Sequence, residues 1–175
     1  ILFASSLESC RRKDFTPPAT TPLAQEIPSG FPAPGYTFAD NPLTKEGFGL
    51  GRKLFYDGRL SANGNFSCSG CHEQRAAFGT FEHDLSHGYN GSHTLRNAPP
   101  LFNLAWQKVF HHDGKFTTLV EEAKQPITTH DEMGESFPNV LMKISGDKNY
   151  RDLFTAVYGD PLITSDRLTK ALAQF

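Results

Sequence analysis

The chain has 175 residues, of which 38% are hydrophobic and 21% are charged, and this composition is typical of a globular domain with a core of its own. The formal net charge of −2, with no basic run longer than the three residues 11–13, argues against nucleic acid as a partner. The 15 Phe residues suit either a Phe-rich core or a pocket for a large flat apolar ligand.

The first ten residues resemble a processing signal more than part of a fold. The sequence does not begin with Met, and residues 1–7 are similar to the end of the apolar core of a signal peptide. Residues 7–10, LESC, resemble a bacterial lipobox, although Glu8 is unusual there, and the alternative is a free thiol at Cys10. We therefore expect residues 1–10 to be a signal or lipobox remnant, and the protein to be periplasmic and tethered to a membrane through a lipid on Cys10.

Residues 11–41 are rich in proline, with Thr, Ala and Ser between the prolines. Such a stretch has too little apolar surface to order itself, so the sequence predicts a disordered linker or an arm that wraps around the domain. The globular part is expected to begin near Asn41-Pro42, because Pro suits the first turn of a helix. This division leaves one domain at residues 42–175.

The domain begins with a predicted helix over residues 44–56, in which apolar residues follow helical spacing. Gly47 and Gly51 lie four residues apart, which would let another helix or a ring approach the backbone closely. Each Gly lowers helix propensity by about 1 kcal/mol, so the helix needs tertiary support. Residues 57–65 are rich in turn formers and predict a loop, and a short helix is expected to carry residues 68–74.

The second half of the chain alternates loops and helices. Residues 78–106 are dominated by loop signals, and residues 117–125 predict a helix that ends at Pro126. Further helices are predicted over residues 150–158 and 165–175. Because the last pattern has no capping signal, we expect the protein to continue beyond it. With no strand or repeat in the pattern, the predicted fold class is all-α.

One short stretch carries a specific chemical signature, since Cys68 and Cys71 lie two residues apart and His72 follows directly. A zinc site needs four ligands, usually in two pairs, and the sequence has no second CxxC. A thioredoxin-type redox pair needs a βαβ context, which the pattern does not show. C-x-x-C-H is the attachment signature of c-type haem. The motif therefore predicts one covalent haem c, with His72 as the proximal ligand of its iron.

The opposite face of the iron distinguishes an electron carrier from an enzyme, because carriers fill it with Met or His and enzymes leave it open. The sequence offers two Met, at 133 and 142, and six further His, at 83, 87, 93, 111, 112 and 130. Three of these His residues cluster in the loop 83–93, which favours a ligand from that loop.

Several segments in a fixed order extend the pattern beyond the haem signature: LGRKLFYDGRLSANGNFSCSGCH, RNAPPLFNLAW, FHHDG and QPITTHDEMGES. Together they resemble the N-terminal, peroxidatic haem domain of bacterial dihaem cytochrome c peroxidases and their MauG-like relatives, over residues 42–175. The resemblance implies a class I cytochrome c-like haem domain with long loops. It also implies a second haem domain that supplies electrons, since members carry two haems and this chain has one CxxCH.

The resemblance also assigns roles to residues near the haem. Splitting hydrogen peroxide requires a group that moves a proton between its oxygens, and in the family this is the Glu of an EM pair, here Glu132. Without that motif, Glu132 would indicate only a solvated loop acid. Met133 would pack near the haem without binding iron. Asn97 matches a calcium ligand at the domain interface of relatives, and Arg96 is expected either to contact a haem propionate or to be an ordinary surface residue.

Two positions depart from the family pattern in the region that surrounds the acid-base group. Glu122 stands where relatives often have Gln, and it is a second candidate catalytic residue. His112 stands where many relatives have a Trp that conducts electrons between the haems. Trp106, the only Trp, lies six residues earlier and is not assigned that role.

The distal ligand departs from the family pattern as well. Relatives that cap the iron reversibly use a His just after a Gly, and the corresponding pair here is Gly88-Tyr89. We expect His87 to be the distal ligand, with two other His residues of the loop, Tyr89 or an open iron as alternatives.

The leading functional hypothesis is an exported haem enzyme that reduces hydrogen peroxide. Its expected partners are a second haem domain of the same protein and a small donor cytochrome or cupredoxin, and a homodimer is also considered. One alternative is a MauG-like enzyme that oxidises a protein or other organic substrate. The others are a non-enzymatic electron-transfer cytochrome c and an interaction domain in which CxxCH is accidental.

Overall fold

The computed structural model describes residues 18–175. The expectations for residues 1–10, including the lipid on Cys10, and for the arm before residue 18 lie outside the described residues. Within residues 18–175 the chain forms six α-helices and short 3₁₀ turns. The helices are α1 (Lys45–Phe55), α2 (Leu119–Glu122), α3 (Lys124–Thr128), α4 (Phe137–Ser145), α5 (Lys148–Tyr158) and α6 (Ser165–Gln174).

The described chain is helix-rich, as the pattern predicts. Its β-structure consists of isolated bridges, at Pro22–Thr44, Glu73–Gly79, His87–His93 and Phe110–Phe116. Over residues 18–175, no helix combines the length and the apolar character that crossing a bilayer requires.

Helix α1 forms where the sequence predicts it. The side chain of Thr44 caps it by accepting a hydrogen bond from the N–H of Gly47 at 3.0 Å. Glu46 lies in the first turn and Arg52 in the last, which is the charge order that the helix dipole favours. The face that includes Leu50 is buried in the core.

Helices α1 and α6 cross at very short range because α1 presents glycines at the contact. A Cβ atom on Gly51 would collide with the backbone carbonyl of Ala171, and one on Gly47 would collide with the Gln174 side chain. The expectation that these glycines admit another helix is confirmed. Gln174 then completes the contact, since its Oε1 accepts the Thr44 N–H at 3.1 Å.

The main core lies between α1, α4, α5 and α6. It is built mostly from aliphatic side chains together with Tyr150 and Phe154, which are fully buried. The Tyr150 hydroxyl donates to Asp57 Oδ2 at 2.6 Å, and Arg59 forms ion pairs with both Asp57 and Asp147. This polar network links the turn after α1 to the start of α5.

The helices differ from the prediction at three places. Residues 68–74 are not one helix but parts of two 3₁₀ turns, Cys68–Gly70 and Gln74–Ala76. Pro126 does not end a helix, because it occupies the third position of α3, where a backbone N–H needs no partner within the helix.

The third difference is a helix that the pattern analysis missed. Helix α4 is capped by Ser136, whose side chain accepts from the N–H of Asn139, and Pro138 lies in its first turn. Its buried residues, Val140 and Ile144, lie four apart on one face.

Residues 18–41 contact the domain, so of the two expectations the wrapping arm fits these residues and the disordered linker does not. Backbone and side-chain bonds hold it: the Leu23 N–H donates to Leu43 at 3.0 Å, and the Trp106 indole N–H donates to Pro32 at 2.8 Å. Phe31 packs edge-on against Trp106. Hydrogen bonds and two aromatic rings replace the continuous apolar surface that the segment lacks.

Candidate haem site

A cavity of about 1140 Å³ lies beside the CxxCH segment. It is bounded by the C-terminal half of α1, the loop of residues 94–106, helices α2 and α3, and the end of α6. Six Phe side chains contribute to its wall: Phe38, Phe48, Phe55, Phe66, Phe78 and Phe175. The cavity exceeds the range of about 300–1,000 Å³ that is usual for small-molecule sites, so it suits a large apolar ligand.

Three of these rings form a cluster behind His72. The ring of Phe55 lies 5.0 Å from that of Phe175 and 6.0 Å from that of Phe78, and it is 6.5 Å from the imidazole of His72. Since α1 carries Phe55 and Phe175 follows α6, the close crossing of these helices sets the shape of this wall. The abundance of Phe thus reflects the cavity more than the central core, in which Leu, Ile and Val predominate.

Cys68 and Cys71 are brought together by one tight turn. The N–H groups of Cys71 and His72 both donate to the carbonyl of Cys68, at 3.2 and 2.9 Å. Burial raises the pKa of the Cys68 thiol to about 12 and also raises the pKa of Cys71, and the charge of Glu132 adds to both shifts. Both thiols therefore stay protonated at neutral pH, which disfavours redox exchange through a free thiolate.

His72 is oriented for a ligand in the cavity. Its Nδ1 lies 2.8 Å from the carbonyl oxygen of Phe78, which can only accept, so Nδ1 carries the proton. Nε2 is then left with its lone pair. Burial lowers the pKa of the imidazole, against the smaller opposing effects of the carbonyls of Phe78 and Pro99, and this keeps the ring neutral. A backbone carbonyl that fixes the tautomer in this way is the usual support of a metal-ligating His.

These features fit haem c. The cavity has the required size and aromatic wall, both thiols and His72 line it, and the Nε2 lone pair is available to iron. Zinc fits less well, because within residues 18–175 the Cys pair belongs to no group of three or more His, Cys, Asp or Glu side chains close enough to share a metal ion.

Glu132 lines the same cavity. Its side chain is partly buried, and this desolvation raises the pKa of the carboxyl above its ordinary value; the positive charge of His111 opposes the shift, while Glu122 and Asp131 add to it. The backbone is held from the other side, since the N–H of Tyr89 donates to the Glu132 carbonyl at 2.8 Å. A carboxyl group whose pKa is raised in this way holds a proton more readily than an exposed Glu, which suits it to proton transfer.

Met133 is almost fully buried, with 3% of its surface exposed, and it joins the core while also lining the cavity. Its carbonyl accepts the N–H of Ala62 at 2.9 Å, and its own N–H donates to Pro126 at 3.2 Å. The residue next to Glu132 is thus fixed by the core.

Glu122 lines the cavity together with His111. Nδ1 of His111 lies 3.1 Å from Oε1 of Glu122. The second oxygen, Oε2, is buried and has no hydrogen-bond partner within the described part of the chain. An unpaired buried carboxylate oxygen is costly, so its presence here indicates a place prepared for a ligand or a water molecule.

Arg96 and Asn97 lie at the exposed rim of the cavity. The Asn97 amide donates to the carbonyls of His83 at 3.4 Å and Asp84 at 3.2 Å, which ties this rim to the loop below it. Arg52 of α1 lines the cavity as well. Among the described residues, neither Arg makes an ion pair, so both guanidinium groups are available to anionic groups of a ligand.

The structure does not bring His87 to the cavity. His87 is exposed and does not line the cavity, and its ring stacks between those of His83 and His93, at 4.9 and 4.4 Å. The backbone of its loop does lie beside the haem-binding turn, since the His87 carbonyl is 3.8 Å from Sγ of Cys71, and the Asn63 side chain donates to the carbonyl of Tyr89 at 2.8 Å. The geometry therefore offers no support for His87 as the distal ligand.

The sequence model of the di-haem cytochrome c peroxidase family matches residues 45–175. The chain belongs to this family, which includes the MauG proteins. Membership implies haem c as the cofactor, in agreement with the donor set described above.

The chain is similar both to MauG proteins and to cytochrome c peroxidases. The MauG protein of Methylophilus methylotrophus is 38% identical over 150 residues, which cover 85% of this chain and 43% of the relative. The cytochrome c551 peroxidase of Nitrosomonas europaea is 34% identical over 126 residues, covering 72% of this chain and 37% of the relative. The chain thus spans less than half the length of these relatives.

A solved structure gives the same result. The crystal structure of a MauG-like protein associated with microbial copper homeostasis matches with a TM-score of 0.78 and 34% identity, over 87% of this chain and 45% of the other. The cytochrome c-like fold of this family member is therefore shared with a MauG-like protein of known structure.

Two polar residues that line the cavity, Arg52 and His111, were not singled out from the sequence. Arg52 stands within the segment LGRKLF, yet a basic residue in the last turn of a helix usually indicates only a favourable dipole contact. His111 received no role from the sequence, because its contact with Glu122 depends on a turn that periodicity does not reveal. The pair of His residues before Asp113-Gly114 was the available signal.

Proposed function

We propose that this chain is the peroxidatic haem domain of a larger enzyme, which reduces hydrogen peroxide to water. The observation that carries the proposal is the placement of Glu132, whose pKa is raised by burial, in the same cavity as the CxxCH segment. A carrier of electrons needs no acid-base group in its haem cavity, whereas a peroxidase does.

In this proposal each residue of the site has a separate role. Cys68 and Cys71 anchor the cofactor covalently, and His72 holds the iron through Nε2. Haem supplies the redox chemistry that breaks the O–O bond. Glu132 takes a proton from one oxygen of hydrogen peroxide and returns it to the other, so that this second oxygen leaves as water. The Phe cluster excludes bulk water, which strengthens electrostatic interactions in the cavity.

Electrons have to come from outside this domain, since each hydrogen peroxide takes up two electrons and two protons to form two water molecules. We propose a second haem domain of the same protein as the immediate source, itself reduced by a small cytochrome or cupredoxin. The support is the family membership and the fact that the chain covers 43% or less of relatives such as MauG and cytochrome c551 peroxidase.

A MauG-like reaction is the second candidate, in which the oxidised protein modifies a protein or other organic substrate. It is favoured by the 38% identity to a MauG protein and by His112, which lines the cavity where many peroxidases have a Trp. Peroxide-dependent modification of an added substrate, without net oxidation of a donor cytochrome, would favour this reaction.

Three further expectations extend the proposal to the whole protein. We propose export to the periplasm and a lipid on Cys10, which mass spectrometry of the mature N-terminus would detect. We also propose calcium at Asn97, supported by the family pattern, and removal of calcium by a chelator would then lower peroxidase activity.

The decisive test replaces Glu132 by Gln in the haem-loaded, full-length protein. Peroxide turnover should fall by about 10²–10⁴-fold, the usual contribution of a positioned acid-base group, while haem content stays unchanged. Glu121→Gln is the matched control, because Glu121 is exposed on α2 and does not line the cavity. Turnover that survives in Glu132→Gln would remove this residue from the mechanism.

A further inference from the structure

The cavity contains a second acidic group that the proposed reaction does not use. Glu122 reaches the cavity from α2, and its carboxyl group is divided between two environments. Oε1 contacts Nδ1 of His111 at 3.1 Å, while Oε2 is buried and finds no partner in residues 18–175. One oxygen is therefore held by the protein, and the other is available to a molecule inside the cavity.

His111 connects this carboxyl group to the surface. Its imidazole lies 4.5 Å from that of His112, and ligand atoms of His111, His112 and Asp113 all lie within 4.8 Å of one another. His112 and Asp113 are exposed, whereas His111 is half-buried. A continuous set of titratable groups thus leads from solvent to the cavity.

The backbone at His111 shows that this position is imposed by the fold. Its φ of 70° lies in the left-handed region, which only a few per cent of residues other than Gly adopt, His being among the types that do so more often. The turn is closed by hydrogen bonds in both directions between Phe110 and Phe116, at 2.8 and 3.4 Å. A strained residue that is held so firmly is a frequent feature of functional sites.

We propose that His111 and Glu122 form a proton-transfer pair that carries protons between solvent and the cavity. The inference rests on the proposed peroxidase function, whose reaction consumes two protons for each hydrogen peroxide that is reduced. Glu132 only moves a proton from one oxygen to the other, so these two protons need a separate route.

Each transfer moves one proton and no electron. His111 takes a proton from a hydronium ion at Nε2, which leaves water, and passes the proton on Nδ1 to Oε1 of Glu122; exchange of the Nε2 proton with water then returns the ring to the Nδ1–H form for the next transfer. After a half-turn of the carboxyl group, the proton is released into the cavity on the side of Oε2. Asp131 and Glu132 are the other acids whose charges act at this end of the cavity, and His112 and Asp113 are the groups that face His111 from the surface.

The binding of hydrogen cyanide to the ferric, haem-loaded full-length protein tests the pair without catalytic turnover. Hydrogen cyanide has to lose its proton in order to bind iron as cyanide, so the rate depends on a group that takes up this proton. Because Glu132 lines the same cavity and can also accept it, the rates are compared in a Glu132→Gln background, in which His111 and Glu122 are the remaining route. Glu122→Gln and His111→Asn should each slow binding by about tenfold or more. Asn suits the test because it tolerates a positive φ and keeps a donor close to the position of Nδ1.

Two controls separate proton transfer from structure. The double variant of Glu122 and His111 should be no slower than either single variant, because the two residues act as one unit. His130→Asn removes an exposed contact of the same kind, between Nδ1 and Asp131 Oδ1 at 2.9 Å, and should leave the rate unchanged.

The outcomes distinguish this inference from the proposed function. Rates in Glu122→Gln and His111→Asn within about twofold of the Glu132→Gln background, or multiplicative losses in the double variant, would overturn the pair while leaving the peroxidase proposal intact. A protein whose iron binds no cyanide at all would overturn both, since the cavity would then be closed to small molecules.

Discussion

The contact between α1 and α6 gives a prediction that depends on one methyl group. In Gly51→Ala the new Cβ would lie 2.8 Å from the carbonyl carbon of Ala171, whereas carbon atoms in contact are about 3.5–4.0 Å apart. The atoms in the way belong to the backbone of α6 and cannot rotate aside. The two helices would have to separate by about 0.7 Å or more.

The magnitude follows from a comparison with Gly49→Ala on the same helix. A Cβ on Gly49 meets nothing within 4 Å, so this variant should gain about 1 kcal/mol of stability from helix propensity alone. Gly51→Ala gains the same amount but adds an overpacking cost of about 1–3 kcal/mol. The difference in unfolding free energy between the two variants isolates that cost, because helix propensity cancels.

Thermal unfolding of the haem-loaded protein, followed by far-ultraviolet circular dichroism, measures this difference. For a domain of this size, each kcal/mol changes Tm by about 2–4 °C. The absorption spectrum should also change in Gly51→Ala, because the new Cβ would lie 3.0 Å from the Cβ of Phe175, which lines the cavity. A Gly51→Ala protein as stable as Gly49→Ala would refute the close crossing of α1 and α6.

Two further predictions concern stability. Tyr150→Phe should lower the free energy of unfolding in urea by about 1.5–3 kcal/mol, because it removes a hydrogen bond to the charged Asp57. Tyr158→Phe removes a hydrogen bond to a neutral carbonyl and should lower it by about 0.5–1.5 kcal/mol. Equal losses in the two variants would contradict a charged acceptor for Tyr150. Burial raises the pKa of Glu132 above the ordinary 4.5, so ionisation of this carboxyl opposes folding as pH rises through the folded-state pKa. The Tm of Glu132→Gln should therefore be higher than that of the unmodified protein at neutral pH and equal to it at acid pH. A difference in Tm between the two proteins that does not change with pH would show that the Glu132 carboxyl is not desolvated.

The haem-binding turn and the helix contact were accessible to sequence reasoning for physical reasons. A covalent haem needs two thiols and an imidazole at one fixed spacing, so the segment of Cys68, Cys71 and His72 identifies it without a fold. The glycines at 47 and 51 are equally informative, since Gly in an amphipathic helix face is costly unless something approaches the backbone there.

The rest depended on tertiary context that no local pattern contains. The arm of residues 18–41 is ordered by bonds to residues that are distant in sequence, such as Trp106, and so composition alone predicted disorder. Pro126 ends a helix in most settings, but here the chain restarts at Lys124 and places the ring in a first turn. The contact between His111 and Glu122 joins a tight turn to a four-residue helix, and neither element has a periodicity that predicts it.

The CxxCH segment and Glu132 are supported by different parts of the fold. His72 lies against the aromatic wall that Phe55 of α1 and Phe175, which follows α6, help to form, so the close crossing of these helices shapes the place where haem would bind. Glu132 has a partly exposed side chain, but its backbone is fixed on both sides. The neighbouring residue Met133 is buried in the core, and the backbone carbonyl of Glu132 accepts a hydrogen bond from the N–H of Tyr89. The carboxyl group is thus positioned by its backbone, while its side chain needs no strong partner. A strong partner such as a Lys would lower the pKa of the carboxyl, and the group would then hold its proton too weakly to act as an acid. Fixing the residue through its main chain preserves both its position and its raised pKa.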